Sequence, residues 1–357
     1  MGLFPKDRDL ASAPDHVEIA VRASDFQLRA KELAIRLDVF LHHHLAWRSR
    51  TSIQRLIRDG YVSVRQVGPD GAHGEMRGET RPGRTLFDGS LVVVRIPEEH
   101  RLPPPRSDGA DLQVLAEDDE VLVVNKEAGL AVHPSGRHLV DTLIQRVHAR
   151  YATEAEDGKR RISLRLCHRL DRETSGVILI AKGDAVHRCI ASQFEDREVE
   201  KEYLAVVHGV VAADSGVVEH PLGPARASAV RLKMRVAEDG LPSATEWTVL
   251  ERHPEARPPC TLVRCRPRTG RQHQIRVHLA AIGHPIIGDK LYGEDEGLFL
   301  RAANGTLTEE DRRSLVLDRH ALHAHRLTWR SPGTGAMREA VAPLPGDLQG
   351  LLGSGGG

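Results

Sequence analysis

Aromatic side chains make up only 4% of this 357-residue sequence, with 3 Trp, 4 Tyr and 6 Phe. A core must therefore come from aliphatic residues, and any ring that stacks on a ligand has few candidates. Long apolar runs are missing too. No stretch approaches the roughly 20 residues that a membrane-spanning helix needs. The start MGLFPKDRDLASAPD lacks the apolar segment of a secretory signal. These absences predict a cytoplasmic protein, a monomer with no membrane partner. The 4 cysteines, Cys167, Cys189, Cys260 and Cys265, are scattered without a CxxC pair or a histidine at zinc-finger spacing. Reduced and mostly buried thiols are expected.

Charge of one sign is lacking as well: 50 Lys and Arg balance 50 Asp and Glu. A neutral chain does not coat nucleic acid wholesale, but an average hides local fields. Between Val21 and Arg65, nine basic residues (22, 29, 31, 36, 48, 50, 55, 58, 65) face four acidic ones (25, 32, 38, 59), an excess of five positive charges. Arginine dominates the basic residues, which suits phosphate recognition, although a compositional bias of the source genome gives the same excess.

What is present falls into segments. Three prolines, charges and a glycine in EEHRLPPPRSDGAD (98–111) break every periodic pattern and read as a linker. Upstream, RLDVFLHHHL carries Leu37, Phe40, Leu41 and Leu45 at helical spacing. SIQRLIRDG does likewise, with Thr51 or Ser52 as N-cap and Gly60 as the C′ residue. YVSVRQV and LVVVRI read as strands. His42, His43 and His44 are consecutive on a helix, fan out around its axis and cannot converge on one metal. The predicted organisation is an N-terminal extension (1–20), a helix pair with a small sheet (21–97), the linker (98–111), a second domain (112–345) and a disordered tail (346–357).

The first of these domains resembles an S4 RNA-binding domain through RLDVFLHHHLAWRSRTSIQRLIRDGYVSV and RPGRTLFDGSLVVV. The resemblance implies that the second helix and its flanks meet an RNA backbone, which points to Arg48, Arg50, Arg55 and Arg58. Without it, the same arginines read as the solvated face of an amphipathic helix.

In HRLDRETSGVILIAK (168–182) the run VILIA is apolar at every position and predicts a strand buried on both faces, entered through a Thr-Ser-Gly turn. Asp171 sits at the mouth of that strand between Arg169 and Arg172. Two readings compete from the residues alone: a turn carboxylate tied to a neighbouring arginine, or a carboxylate held charged at a cleft as a nucleophile or base.

HRLDRETSG, with VNKEAGLAVHPSG, VEKEYLAVVHG and RTGRQHQIRVHLAAIGHPIIGDKLYG, resembles the RluA-type pseudouridine synthases over residues 112 to about 345. The resemblance implies an α+β protein: a small S4-like helix-pair and sheet domain, then a mixed, largely antiparallel catalytic domain with its cleft across the sheet. It implies isomerisation of a uridine in RNA to pseudouridine by base flipping, without a cofactor or a metal, in ribosomal RNA ahead of transfer RNA. By the match, Asp171 is the catalytic carboxylate, Arg276 its charge partner and Tyr203 the ring that packs on the target base. Arg169 matches a position that can fill the gap left by a flipped nucleotide, and Arg172 and Arg165 are equally placed to serve the phosphates.

Helical spacing supports Arg276, since Ile275, Leu279 and Ile282 form an apolar stripe with Arg276 beside it. His273 and His278 are five apart and do not make a helical zinc pair. His323 and His325 share one face of a strand with no carboxylate or thiol nearby to complete a metal site. The chain departs from the family pattern at Glu127, where a proline is usual, and in the long segments 136–162 and 294–320. A catalytically silent RNA-binding or ribosome-assembly factor is the rival reading, and the joint presence of Asp171, Tyr203 and Arg276 argues against it.

Overall fold

The computed structural model describes residues 16–26, 29, 32–44, 50–67, 72, 74–95, 111–133, 141–152, 164–293 and 295–353. The first fifteen residues, Arg48 and all of the expected linker but Asp111 lie outside that set. The chain divides into two compact units, residues 1–109 with 133–163, and residues 110–132 with 164–357. Helix Leu143–Ala152, expected within a continuous second domain, falls in the first unit.

In the first unit, helices Leu37–His44 and Arg50–Arg58 place Leu37, Phe40, Leu41, Ile53, Leu56 and Ile57 in one apolar core. Val62, Val64, Val92 and Val94 complete it from an antiparallel sheet in the order His16–Ala20, Leu91–Arg95, Val62–Arg65, Arg77–Gly78. Strand His16–Ala20 corrects the expected extension 1–20: its period-2 alternation buries Val17 and Ile19 against the core. Thr51 and Ser52 lie inside the second helix rather than capping it. Gly60 ends that helix with φ 79°; its N–H bonds Ile57 O and that of Tyr61 bonds Leu56 O, the paired bonds of a Schellman motif.

The second unit is built on a ten-stranded sheet. Its path runs Ser215–Val218, Thr245–His253, Cys260–Pro267, Glu200–His208, Leu322–Arg330, Ser175–Lys182, Val121–Lys126, Val114–Glu117. Met337–Val341 adds to Leu322–Arg330, and Leu164–Leu166 to Ser175–Lys182. Strand Ser175–Lys182 is parallel to Leu322–Arg330 and antiparallel to its other neighbours. It is buried from Ser175 through Ala181, as the unbroken apolar run predicts. Helix Asp184–Glu195 covers one face through Ile190, and helix Gln274–Ala281 packs with Ile275 and Leu279 in the larger core cluster. Of the four thiols, Cys260 and Cys265 are buried, Cys167 is partly covered and Cys189 is exposed.

The tail expected to be disordered contains helix Gly346–Gly353. Leu348 is fully buried, Leu351 and Leu352 pack on the same core cluster, and Asp347 makes a two-pronged ion pair with Arg319 at 2.6 and 2.9 Å. The expanded segment 294–320 holds helices Gly297–Asn304 and Glu309–Leu315; Thr308 and Asp311 close a capping box on the second.

Gly176 marks the point where the central strand meets Leu322–Arg330. Its φ is 115°, and an added Cβ would stand 2.1 Å from Ala324 O. Only glycine fits there. Gly176→Ala is expected to destabilise the second unit by on the order of 3 kcal/mol or more, through backbone displacement and a disfavoured dihedral. Urea unfolding measures this, and a midpoint equal to wild type would show that the strand pair adjusts freely.

Candidate active site

Asp171 lies on the turn that leads into strand Ser175–Lys182, closed by a bond from Thr174 N–H to Asp171 O at 3.1 Å. The turn is held from several directions. Lys126, at the end of the neighbouring strand and 1% exposed, donates from Nζ to the carbonyls of Glu127 (2.7 Å), Leu130 (2.9 Å) and Arg172 (2.9 Å). Burial pulls its pKa down to about 7 against the pull of Glu127 and Asp171, while the three carbonyls match the three protons of the ammonium. Glu173 accepts from Lys290 Nζ at 2.9 Å and from the His320 N–H at 3.3 Å. Thr174 Oγ1 bonds His320 Nε2 at 2.7 Å, and burial lowers this imidazole to about 4, so it is neutral at pH 7.

Arg276 joins this turn to the rest of the unit. Its Nη1 donates to Asp171 Oδ2 at 2.9 Å, while Nε and Nη2 form a two-pronged pair with Asp289 at 2.7 and 2.8 Å. Asp289 also accepts from the N–H groups of Leu291 and Tyr292, and it is completely shielded from solvent. Burial drives both carboxyls upward. The opposing charge of Arg276 overcomes it at Asp289, and His273 and Arg276 together overcome it at Asp171, so both are held below the usual carboxylate range. Asp171 keeps 27% of its side chain exposed against 8% for Arg276. The carboxylate is therefore both reachable and ionised.

His273 and Tyr292 border the same carboxylate. His273 Nε2 is 3.8 Å from Asp171 Oδ2, its Nδ1 is 2.7 Å from Tyr292 Oη, and the Tyr292 ring lies 5.0 Å beneath the Arg276 guanidinium. Tyr203, on strand Glu200–His208, packs against the core of this unit. Burial, reinforced by the Asp171 charge, pushes its phenol well above the ordinary range.

The structure thus brings Asp171, Arg276 and Tyr203 into one electrostatic neighbourhood. It differs from the expected amphipathic stripe, because helix Gln274–Ala281 is buried continuously from Gln274 through Leu279 and Arg276 is an interior residue. Arg169 and Arg172 are exposed at the turn, whereas Arg165 is tied to Asp184 at 2.7 Å. His168 accepts from Leu179 N–H at 3.0 Å and stacks on Phe194, so it supports the strand. His323 bonds Ser175 Oγ and, like His325, faces Ala342 O.

In the first unit, Arg50 is bound to Asp38, a fully buried carboxylate that also takes Arg36 and Gln54. Arg55 and Arg58 stand exposed on the second helix. Asp289, Tyr292, Lys126 and His320 were missed from sequence. The one available signal was that Asp289 and Tyr292 sit in GDKLYG, directly downstream of the motif carrying Arg276.

A family model described as RNA pseudouridylate synthase matches residues 120–281. A Bacillus subtilis protein named as an uncharacterized RNA pseudouridine synthase is 34% identical over 328 residues, 92% of this chain and 96% of that one. The ribosomal large subunit pseudouridine synthase D of Xanthomonas campestris is 38% identical over 280 residues, 77% of this chain and 78% of that one. Among solved structures, human RNA Pseudouridylate Synthase Domain Containing 1 matches with TM-score 0.52 and 30% identity, over 67% of this chain and 85% of that chain.

Asp289→Asn leaves Arg276 with a single carboxylate, and removing one member of a buried pair costs about 3–5 kcal/mol. The pH dependence carries a sign. The native Asp289 carboxyl sits below its unfolded value of about 3.9, so its contribution is present above pH about 4 and is lost as pH falls further. The gap in unfolding free energy between the two proteins should therefore be constant above pH about 5 and narrow steadily as pH falls from there to about 3. Parallel curves would mean that Asp289 does not hold Arg276 through charge.

Proposed function

Because the chain belongs to the RNA pseudouridylate synthase family and is an RNA pseudouridine synthase, we propose that it isomerises specific uridines of ribosomal RNA, with Asp171 as the catalytic carboxylate. The observation that carries this reading is the one-sided contact of Arg276 with Asp171 at 2.9 Å. The reaction breaks the N1–C1′ bond, turns the uracil, forms the C5–C1′ bond, releases the C5 proton and protonates N1. Addition to C1′, addition to C6 and removal of a ribose proton are three roles a carboxylate can take in it, and each requires the ionised form. Arg276 keeps Asp171 ionised in a partly dry site and stands ready to face the uracil anion once the glycosidic bond opens. Tyr203 supplies the platform for a base taken out of the stack. Arg169 fills the space that base leaves, and Arg172 meets phosphates.

The ribosomal substrate is supported by relatives named for the large ribosomal subunit. Residues 21–97 of the first unit act in this reading as an S4-like recruitment domain through Arg48, Arg50, Arg55 and Arg58. The helix pair, the small sheet and the exposed positions of Arg55 and Arg58 favour it over a merely solvated face.

Asp171→Asn preserves size and removes charge. Site-resolved pseudouridine mapping in cells carrying wild type, the Asn variant or neither should show at least one ribosomal site that depends on the wild type alone. A dependent site found only in transfer RNA would move the substrate. No dependent site at all would leave a silent binding factor, and substantial turnover by the Asn variant would remove Asp171 from the chemistry.

Recruitment has its own signature. The full chain with Arg55→Ala and Arg58→Ala should bind RNA more weakly and with a shallower salt dependence, by about 0.7 in the log–log slope per lost contact on single strands. Limiting turnover should stay close to wild type. An unchanged slope would reduce these arginines to a solvated helix face.

A further inference from the structure

His273 adopts a backbone conformation that histidine rarely takes. Its φ of 56° and ψ of 17° are left-handed, at the N-cap of helix Gln274–Ala281, where a side chain ordinarily turns back to bond the helix N–H groups. It makes no such bond. The imidazole, 10% exposed, instead spans Tyr292 and Asp171. A strained, non-capping residue aimed at a reactive carboxylate is held for something other than the helix.

The hydrogen bonds around Tyr292 determine which imidazole nitrogen carries the proton. The backbone N–H of Met234 donates to Tyr292 Oη at 2.9 Å, and a backbone N–H is a donor only. The phenol has one proton left to give, and His273 Nδ1 lies 2.7 Å away. With Nδ1 as acceptor, the ring proton of a neutral imidazole is on Nε2, the atom 3.8 Å from Asp171 Oδ2. The opposite tautomer would aim two donors at Tyr292 Oη, leave the phenol proton unused and turn a nitrogen lone pair toward a carboxylate.

We infer that His273 is a positioning residue for Asp171, locked by Tyr292 as the Nε2–H tautomer so that a neutral ring presents its N–H to the carboxylate. The inference rests on the reading of Asp171 as the catalytic group for its effect on turnover, though not for the tautomer itself. Burial lowers the imidazole to about 4, so the ring is neutral at working pH and acts through its N–H. That is useful beside Arg276: a second full positive charge would bind the carboxylate tightly, whereas an N–H dipole supports it and yields when Asp171 reacts. The approach of 3.8 Å is long for a hydrogen bond, as such contacts often are before substrate closes a site.

The charged and titratable groups facing this pair from each packed element are Arg276 on the same helix, Asp289 and Tyr292 downstream, His320 before strand Leu322–Arg330, Tyr203 on strand Glu200–His208, Lys126 at the end of its strand and Arg169 on the Asp171 turn. None of them changes in Tyr292→Phe except the phenol, and the ring under Arg276 stays.

The test has one arm that needs no activity. In protein labelled with nitrogen-15 at histidine, and with the His273 signals assigned by their loss in His273→Gln, wild type should show a protonated Nε2 and an acceptor Nδ1. Tyr292→Phe should remove the hydrogen bond to Nδ1 and so move the Nδ1 signal, while Asp171 alone still favours the proton on Nε2. A protonated Nδ1 in wild type, or an unchanged pattern in the variant, overturns the inference even if no RNA substrate has been found. In the second arm, Tyr292→Phe should lower kcat on the order of tenfold with little change in KM. The acid limb should move to higher pH, because a less supported carboxylate protonates earlier on acidification. His273→Gln, which keeps an N–H donor, should retain more turnover than His273→Leu; equal loss in both would make the ring a spacer and overturn the role. If a variant fails to fold, the wild-type tautomer still decides.

Discussion

The second unit is organised around one guanidinium shared unequally by two carboxylates. Asp289 takes two nitrogens of Arg276, and Asp171 takes the third. Unpartnered by Asp289, an arginine this close would settle on Asp171 through both prongs, since two-pronged pairing is its preferred geometry. Both oxygens of Asp171 would then be occupied. With Asp289 holding Nε and Nη2, only Asp171 Oδ2 is engaged, and Oδ1 has no protein donor among the described residues. The deep carboxylate thus spares the shallow one. Two carboxylates around one cation also leave one negative charge uncompensated.

Such an arrangement works only if the Asp171 turn is fixed relative to helix Gln274–Ala281, and the fold fixes it by long-range contacts. Gly176 lets the strand after the turn press on Ala324, Lys126 gathers three carbonyls beneath the turn, and Lys290 and His320 hold Glu173 and Thr174. Arg319, next to His320, is in turn pinned by Asp347 of the last helix. The C-terminal helix is thereby linked through consecutive residues to the turn that carries the carboxylate, although it lies far from that turn in sequence.

What the sequence made legible follows from how local each signal is. VILIA announces a doubly buried strand because every one of its residues has to be apolar, and Asp171 and Arg276 stand out within motifs that match a family. Asp289 does not stand out: an aspartate after glycine reads as a turn residue, and only the folded chain shows it gripping an arginine 13 residues earlier. From the sequence His273 reads only as half of a failed zinc pair, since its tautomer depends on a tyrosine 19 residues away. The last helix was obscured by its glycines, which favour coil. Yet Leu348, Leu351 and Leu352 were already spaced to face one side, and burying them outweighs the propensity.

The first unit shows the same distinction between counting charges and placing them. Nine basic residues against four acidic ones suggested a diffuse positive field, but Asp38 is buried and draws Arg36 and Arg50 onto itself. Its carboxyl is held well below the usual range: burial opposes ionisation, and bonds from Arg36, Gln54 and Arg50 overcome it. Those contacts fix Arg50 at the start of its helix and reduce its charge as seen from solvent. Arg55 and Arg58, three apart and therefore neighbours on one helix face, carry the unscreened charge. A recruitment surface needs such exposed cations, whose attraction is long-ranged and weakened by salt. The pairing of Arg276 with Asp171 is the reverse, a cation withdrawn from water whose contact with a carboxylate salt screens far less, and the two kinds of charge lie in separate compact units.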